Sequence, residues 1–156
     1  MKSLISLLAS IERIWASGLE LYLSSLASLL ARVYVGWVFF KSGLTKIADW
    51  ESTLELFEYE YAVPLLPTNV AAFLGTAGEL LLPPLLILGL FSRFSAFGVF
   101  CINAVAIIST FEDIEGTYGL GLHYIWGLLM IYVVIHGGKL ISLDHLFKRK
   151  LLASAY

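Results

Sequence analysis

Four long apolar windows constrain the fold of this chain more than any other feature of its sequence. They run over residues 26–46, 69–90, 94–111 and 120–138. A helix needs about 20 mostly apolar residues to cross the hydrocarbon of a bilayer, and each window is close to that length. Only 14% of the residues are charged, whereas soluble domains carry about a quarter. The sequence therefore predicts an all-α membrane protein, a four-transmembrane-helix bundle that forms a single domain over residues 1–156.

The charges between the windows predict how the bundle is oriented. The two longer connections are acidic, with Asp49, Glu51, Glu55, Glu58 and Glu60 in one and Glu112, Asp113 and Glu115 in the other. The remaining segments are basic and contain Lys2, Arg13, Arg93, Lys139, Lys148, Arg149 and Lys150. Because segments rich in Lys and Arg stay on the cytoplasmic side, we expect both termini to be cytoplasmic.

Three amphipathic segments outside the windows predict helices that lie at the membrane interface. The N-terminal segment, with Leu4, Leu8, Ile11 and Trp15 at helical spacing, imitates a signal peptide, but its apolar run is short and we expect it to be retained. The first outer loop, DWESTLELFEYEY, carries an apolar stripe behind Asp49, which is a suitable N-cap. In the tail, SLDHLFKRKLL, Asp144 is the expected N-cap, and the basic cluster would meet anionic headgroups.

The first window contains three cations, and its helical periodicity separates them. A helix turns about 100° per residue, so Arg32 and Lys46 share a face, whereas Lys41 points to the opposite side. Small residues mark helix–helix contacts in membranes, and this face carries Ser28, Gly36 and Gly43. We therefore expect Arg32 and Lys46 to face the bundle and Lys41 to reach water with its long stem.

Glu79, near the middle of the second window, is the expected partner of Arg32. An unpaired charge at this depth costs several kcal/mol, and an ion pair offsets much of that cost. Pro83 and Pro84 lack N–H groups and leave the carbonyls of Glu79 and Leu80 without helical partners. The pair could line a functional pocket or simply fix the register of two helices.

The third and fourth windows add polar groups on inward faces. Asn103 lies on the same face as small residues, and His123 shares its face with Trp126. Asn103 could instead join two helices, and His123 could bond Glu112 or Glu115 at the interface. The predicted ligand pocket, open toward the outside, consists of Arg32, Lys46, Glu79, Asn103, His123 and Trp126. No catalytic residue is assigned.

Several kinds of chemistry are excluded by what the sequence contains. A net charge of −2 argues against nucleic acid as a partner. Cys101 is the single cysteine, so neither a disulfide nor a C-x-x-C pair can form within the chain. His123 and His136 face opposite sides of one helix, which argues against haem, and no metal-binding or nucleotide-binding motif occurs. We expect no tightly bound cofactor, so electron transfer would need a diffusible quinone or a partner subunit.

Three stretches make the chain resemble the DoxX family of small four-helix membrane proteins. They are LLARVYVGWVFFKSGLTKI, AAFLGTAGELLLPPLLILGLFSRFSAFG and GGKLISLDHLF, and the likeness covers residues 26–147. The residues that match the family pattern are Arg32, Gly43, Lys46 and Glu79. The resemblance implies a protein of the cytoplasmic (inner) membrane. Some members are subunits of thiosulfate:quinone oxidoreductase or of a quinol oxidase, others belong to redox-stress complexes, and distant relatives act in receptor assembly.

Three functions are consistent with these observations. The leading hypothesis is a membrane subunit of a quinone-linked oxidoreductase, with protein partner subunits or further copies of itself in the bilayer. The second is a non-enzymatic assembly factor or scaffold for a partner protein, indicated by the absence of a catalytic constellation. The third is a small-molecule carrier, indicated by intramembrane charges and a proline-interrupted helix.

Overall fold

The computed structural model describes residue 10 and residues 18–61, 63 and 65–153, with the backbone alone at 112 and 113. Within this part of the chain every regular element is helical, and four helices are long and apolar enough to cross a membrane. The prediction of an all-α, four-span membrane protein is confirmed. Leu4, Leu8, Ile11 and Trp15, on which the N-terminal interfacial helix was predicted, lie outside the described residues.

The spanning helices are close to the predicted windows. They are α1 (Glu20–Ala48), α3 (Thr68–Leu88), α4 (Ser92–Ser109) and α6 (Tyr118–His136). Shorter helices lie between or after them, namely α2 (Trp50–Tyr59), α5 (Phe111–Ile114) and α7 (Leu143–Ala153). The helix α1 begins earlier than its apolar window because Glu20, Ser24 and Ser25 are polar yet helical, and hydropathy alone does not detect them.

The bundle is built from two closely packed helix pairs, α1 with α3 and α4 with α6. Glycines bring α1 and α3 together, because a Cβ added to Gly36 would lie 2.7 Å from Ile87 and one added to Gly43 would lie 3.0 Å from the Glu79 Cβ. The small-residue face predicted for the first window is therefore the interface with α3. The central core consists of Ala31, Val35, Phe39, Leu86, Ala96, Val99, Met130 and Val133.

The helix α2 begins as the sequence predicts but packs on protein. Asp49 is its N-cap, and an Asp49 carboxylate oxygen accepts a hydrogen bond from the Ser52 amide at 3.0 Å. Phe57, from its apolar stripe, is buried against Ala71 and Ala72 of α3. The apolar stripe of α2, which was predicted to lie at the membrane interface, thus packs against the N-terminal part of α3.

The predicted role of Asp144 as the cap of its own helix is wrong. Its carboxylate accepts hydrogen bonds from the Phe91 amide (2.8 Å), the Ser92 amide (2.8 Å) and the Ser92 hydroxyl (2.7 Å) at the start of α4. The hydroxyl of Ser142 accepts from the His145 amide instead. The Asp144 amide donates to the Gly89 carbonyl at 3.0 Å, and this contact turns the carboxylate toward the open N-terminus of α4.

The two ends of the bundle differ in charge. We call the end that carries α2 and the α4–α6 connection the acidic end. The end that carries the α3–α4 turn and α7 is the basic end. Leu146, Phe147 and Leu151 of α7 are exposed, and the contact of this helix with the membrane surface stays a prediction.

Candidate functional site

Glu79 pairs with Lys46, so the predicted Arg32–Glu79 pair is wrong. The Lys46 Nζ atom lies 2.7 Å from Oε2 and 2.9 Å from Oε1 of Glu79. The same ammonium donates to the Ser42 hydroxyl at 2.8 Å. Both charged side chains are nearly buried, with 11% and 10% of their surfaces exposed. The three donor hydrogens of Lys46 are therefore directed at atoms of the protein.

Depth in the membrane explains why the pairing differs from the prediction. Arg32 and Lys46 share a face but lie 14 residues apart, which is about 21 Å along a helix axis. Glu79 is level with Gly43, because a Cβ added to Gly43 would lie 3.0 Å from the Glu79 Cβ. Helical side chains lean toward the N-terminus of their helix, so the Lys46 stem reaches down one turn to that level. Arg32 lies about three turns farther away.

Arg32 instead joins three elements at the basic end, and its side chain is completely buried. Nη1 donates to the carbonyls of Leu86 and Ile87, both at 3.2 Å, and Nη2 donates to the carbonyl of Ile141. The last carbonyls of a helix have no partners within the helix. Arg32 therefore completes the C-terminus of α3 and holds the segment before α7, and it does not line the cavity that contains Glu79.

A cavity of about 850 Å³ opens among α1, α3, α4 and α6 toward the acidic end. Lys46, Glu79, His123 and Trp126, four of the predicted pocket residues, line it. Most of the remaining wall is apolar, and Val38, Phe39, Phe57, Leu74, Ile102 and Val105 belong to it. The structure thus brings most of the predicted polar residues to one apolar cavity.

Asn103 lies behind His123 and fixes its ring. The Asn103 Nδ2 donates to the His123 carbonyl at 3.0 Å, and Oδ1 lies 2.8 Å from the His123 Nδ1. Because the carbonyl fixes the amide orientation, Oδ1 faces the ring as an acceptor and Nδ1 must carry the hydrogen. The neutral ring then has its lone pair on Nε2. Asn103 both joins α4 to α6, as the simpler interpretation predicts, and sets the tautomer of a cavity residue.

Trp126, which lines the cavity, carries a buried donor. Its ring packs edge-on against His123, with centroids 4.8 Å apart, and against Phe39 at 5.8 Å. Among the described residues its indole Nε1–H is buried and makes no hydrogen bond. Buried polar groups are almost always hydrogen-bonded in folded proteins. The indole of Trp126 is therefore an unsatisfied donor on a residue that lines the cavity.

Tyr61 and Ser42 are among the cavity residues that were not recognised from the sequence. Tyr61, after α2, lines the cavity and packs edge-on against Phe57 at 4.9 Å. Burial raises the pKa of the Tyr61 phenol, and the nearby carboxylates of Glu79 and Glu60 raise it further, so the hydroxyl stays protonated at neutral pH. Ser42 was also missed, although its position one turn before Lys46 could have indicated the contact.

These features define a multi-pass membrane protein whose bundle holds a polar-lined apolar cavity. The chain belongs to the DoxX family: the DoxX family model matches residues 27–113, as the resemblance predicted. An uncharacterized protein of Haemophilus influenzae is 30% identical over 133 residues, which cover 81% of this chain and 86% of that protein. No solved structure matches this chain.

Proposed function

We propose that this DoxX family protein is the membrane subunit of a quinone-linked oxidoreductase and that the cavity at the acidic end binds the quinone ring. The observation that carries this proposal is an apolar cavity of about 850 Å³ that is lined by Trp126, whose buried Nε1–H makes no hydrogen bond among the described residues. Small-molecule sites are concave and mostly apolar, with a few polar groups that orient the ligand. A quinone has a flat apolar ring and carbonyl oxygens that accept hydrogen bonds.

The polar groups of the cavity suit both redox forms of such a ring. The indole N–H of Trp126 donates to a carbonyl oxygen of the oxidised form. The Nε2 lone pair of His123 accepts from a hydroxyl of the reduced form, because Asn103 keeps the hydrogen on Nδ1. Lys46 is already held by Glu79 and Ser42, and its charge supplies positive potential near the ring.

Reduction of a quinone to a quinol takes up two electrons and two protons. The sequence contains no haem or metal-binding pattern that would supply the electrons, so in this proposal a partner subunit delivers them. In this proposal His123 and the Lys46–Glu79 pair, which are titratable groups in the cavity wall, exchange the protons. The same reasoning makes this chain a component of a complex.

A binding titration with matched variants tests the proposal. We expect Trp126→Phe to weaken binding of a short-chain ubiquinone analogue to the purified protein about two- to tenfold, the value of one hydrogen bond. His123→Gln should weaken the quinol form more than the quinone form. Trp37→Phe and His136→Gln, which change exposed side chains of the same types, should have no effect. Equal affinities for all four variants in folded protein would overturn the proposal.

We also propose that the protein lies in the cytoplasmic membrane with both termini in the cytoplasm, which places the acidic end outside. The support is the distribution of Lys and Arg, which are concentrated before α1, in the α3–α4 turn and around α7. A fluorescent protein fused to the C-terminus should fluoresce, whereas a periplasmic alkaline phosphatase fused there should be inactive. The reverse pattern would contradict this orientation.

A non-enzymatic scaffold remains the second candidate, because α2 presents the carboxylates of Glu51, Glu55 and Glu58 on its exposed face. A scaffold would retain a stoichiometric protein partner in mild detergent through this face, and it would bind no quinone. Native mass spectrometry of the extracted complex distinguishes the two functions, since it reports protein partners and bound quinone together.

A further inference from the structure

A second cavity, of about 630 Å³, lies at the basic end and has no part in the proposed quinone site. It is open to the surroundings and is lined by the starts of α1 and α4, the end of α6, the segment that follows it and the helix α7. Its lining contains three permanent cations, Arg93, Lys139 and Lys148, together with the imidazoles of His136 and His145. The spacing of these residues along the sequence gives no motif, and only the fold brings them together.

The carboxylate in the lining, Asp144, is already hydrogen-bonded. It accepts from the Phe91 amide and from the amide and hydroxyl of Ser92. Burial raises the pKa of Asp144, but the hydrogen bonds from Ser92 and Phe91 and the charge of Lys148 outweigh burial and lower it. Asp144 is therefore ionised at neutral pH, and three cations against one carboxylate leave the cavity positive.

Lys139 and Gly137, in the lining of the cavity, have backbone conformations with a positive φ. Lys139 has φ = +53° although it is not a glycine, a conformation that costs energy unless its surroundings fix it. Its carbonyl accepts a hydrogen bond from the Ser142 hydroxyl at 2.8 Å. Gly137 has φ = +71°, and a Cβ there would lie 3.4 Å from the Arg93 Nε. The Arg93 side chain thus packs close to the turn at Gly137.

The outer rim of the same cavity is apolar. Phe91 and Phe94 are 66% and 67% exposed, and Leu21 is 43% exposed. Exposed apolar side chains of a membrane protein are suited to contact with acyl chains. A ligand that fits both parts has a negative head and an apolar tail.

We propose that this cavity binds the phosphate headgroup of an anionic phospholipid, with Arg93 and Lys148 on the phosphate oxygens and the acyl chains along Phe91 and Phe94. Basic pockets between membrane helices are suited to such headgroups, and the planar guanidinium matches phosphate geometry. A free phosphate shares the head chemistry, but the aromatic rim favours the lipid. The proposal is independent of quinone binding at the other end.

Native mass spectrometry from nanodiscs of phosphatidylcholine and phosphatidylglycerol tests this site. We expect one phosphatidylglycerol to remain bound to the wild-type protein, and Arg93→Gln and Lys148→Gln each to lower its affinity about fivefold, the value of one cation near a lipid surface. The matched controls are Arg149→Gln and Lys150→Gln, which remove exposed cations of α7 outside the cavity. They should leave the retained lipid unchanged.

Three results would overturn the proposal. If Arg149→Gln and Lys150→Gln lower retention as much as the cavity variants, the lipid is held by the general charge of α7. Equal retention of phosphatidylcholine would show that the cavity does not select a negative head. Displacement of the lipid by millimolar inorganic phosphate, with phosphate retained in its place, would assign the cavity to a soluble anion. Circular dichroism of each variant establishes that it is folded, and Lys148, on exposed α7, tests the site even if the Arg93 variant misfolds.

Discussion

The acidic and basic ends of this bundle use buried cations from the same helix in different ways. Near the acidic end, Lys46 of α1 meets a carboxylate, and the pair lies in the wall of a cavity. Near the basic end, Arg32 of α1 meets backbone carbonyls and lies in solid packing. Arg32, whose hydrogen bonds go to backbone carbonyls, stabilises the packing of the helices. The Lys46–Glu79 pair lies beside a cavity, so a ligand bound there could contact it. Depth and surroundings, more than charge, decide which partner each buried cation takes.

Removing Arg32 should have the largest effect on stability. Arg32→Met would leave the carbonyls of Ile87 and Ile141 without the guanidinium donor, whereas the Leu86 carbonyl still accepts from the Gly89 amide. Each unsatisfied buried group costs about 1–3 kcal/mol. We expect a loss of about 3–5 kcal/mol in the free energy of unfolding, measured by denaturant titration in detergent. Arg32→Lys should rescue it only in part, because an ammonium lacks the guanidinium fork.

The control for this prediction is Lys41→Met, which removes an exposed cation from the opposite face of α1. Its stability should stay within about 0.5 kcal/mol of the wild type, as surface substitutions usually do. If Arg32→Met and Lys41→Met were equally stable, Arg32 would not be the structural link between α1, α3 and the segment before α7.

Removing one member of the acidic-end pair should have a smaller effect than removing Arg32. Lys46→Met leaves Glu79 buried without its partner, which costs about 3–5 kcal/mol when the charge is retained. Glu79 can take up a proton and lower that cost, so we expect a loss of about 2 kcal/mol. Lys46→Met combined with Glu79→Leu should recover most of the stability. A double-mutant cycle with no coupling between the two positions would contradict the ion pair.

Asp144 should contribute less to the free energy of unfolding than the Lys46–Glu79 pair does, and its contribution should depend on pH. Asp144→Ala removes the cap of α4, for which we expect a loss of about 1–2 kcal/mol. Because the folded-state pKa of Asp144 is lowered, its stabilisation is complete above the unfolded pKa near 4 and is lost as the pH falls through the folded value. Unfolding of wild-type protein between pH 3 and pH 7 should show this loss.

Asp144→Asn is the control for the pH dependence, since the amide keeps one oxygen acceptor but does not titrate in this range. The difference in unfolding free energy between wild type and Asp144→Asn should shrink as the pH falls below about 4. A difference that stays constant over the whole range would show that the carboxylate charge does not stabilise the start of α4.

Substitution of Trp126 should affect stability least and ligand binding most. In Trp126→Phe the lost Nε1–H has no partner among the described residues, so stability should change only through the smaller ring. Thermal unfolding with and without a ubiquinone analogue would separate the two effects: the midpoint without ligand should fall slightly, and the increase caused by the ligand should diminish. An undiminished increase would place the ligand away from Trp126.

The four spans and the inward direction of most polar groups could be predicted because hydropathy and helical periodicity are local properties. The partner of Glu79 could not be predicted in this way. Periodicity gives the face of the helix on which a residue lies, but it does not give the residue at the same depth on the neighbouring helix. Asp144 was assigned to its own helix because the α4 start that it caps lies 52 residues earlier in the sequence. The shape and the apolar wall of the cavity could be seen only in the packed structure, in which the apolar stripe of α2 covers the start of α3.

Photochemical labelling compares the two ends in one measurement. A photoreactive quinone analogue would be bound to the protein in nanodiscs, cross-linked by light, and located by mass spectrometry of the peptides. The cavity at the acidic end predicts labels around Lys46 and on α6 near His123 and Trp126, which unlabelled quinone should prevent. Labels confined to lipid-facing residues, or to the basic end around Phe91 and Phe94, would contradict the central claim that the acidic-end cavity holds the ring.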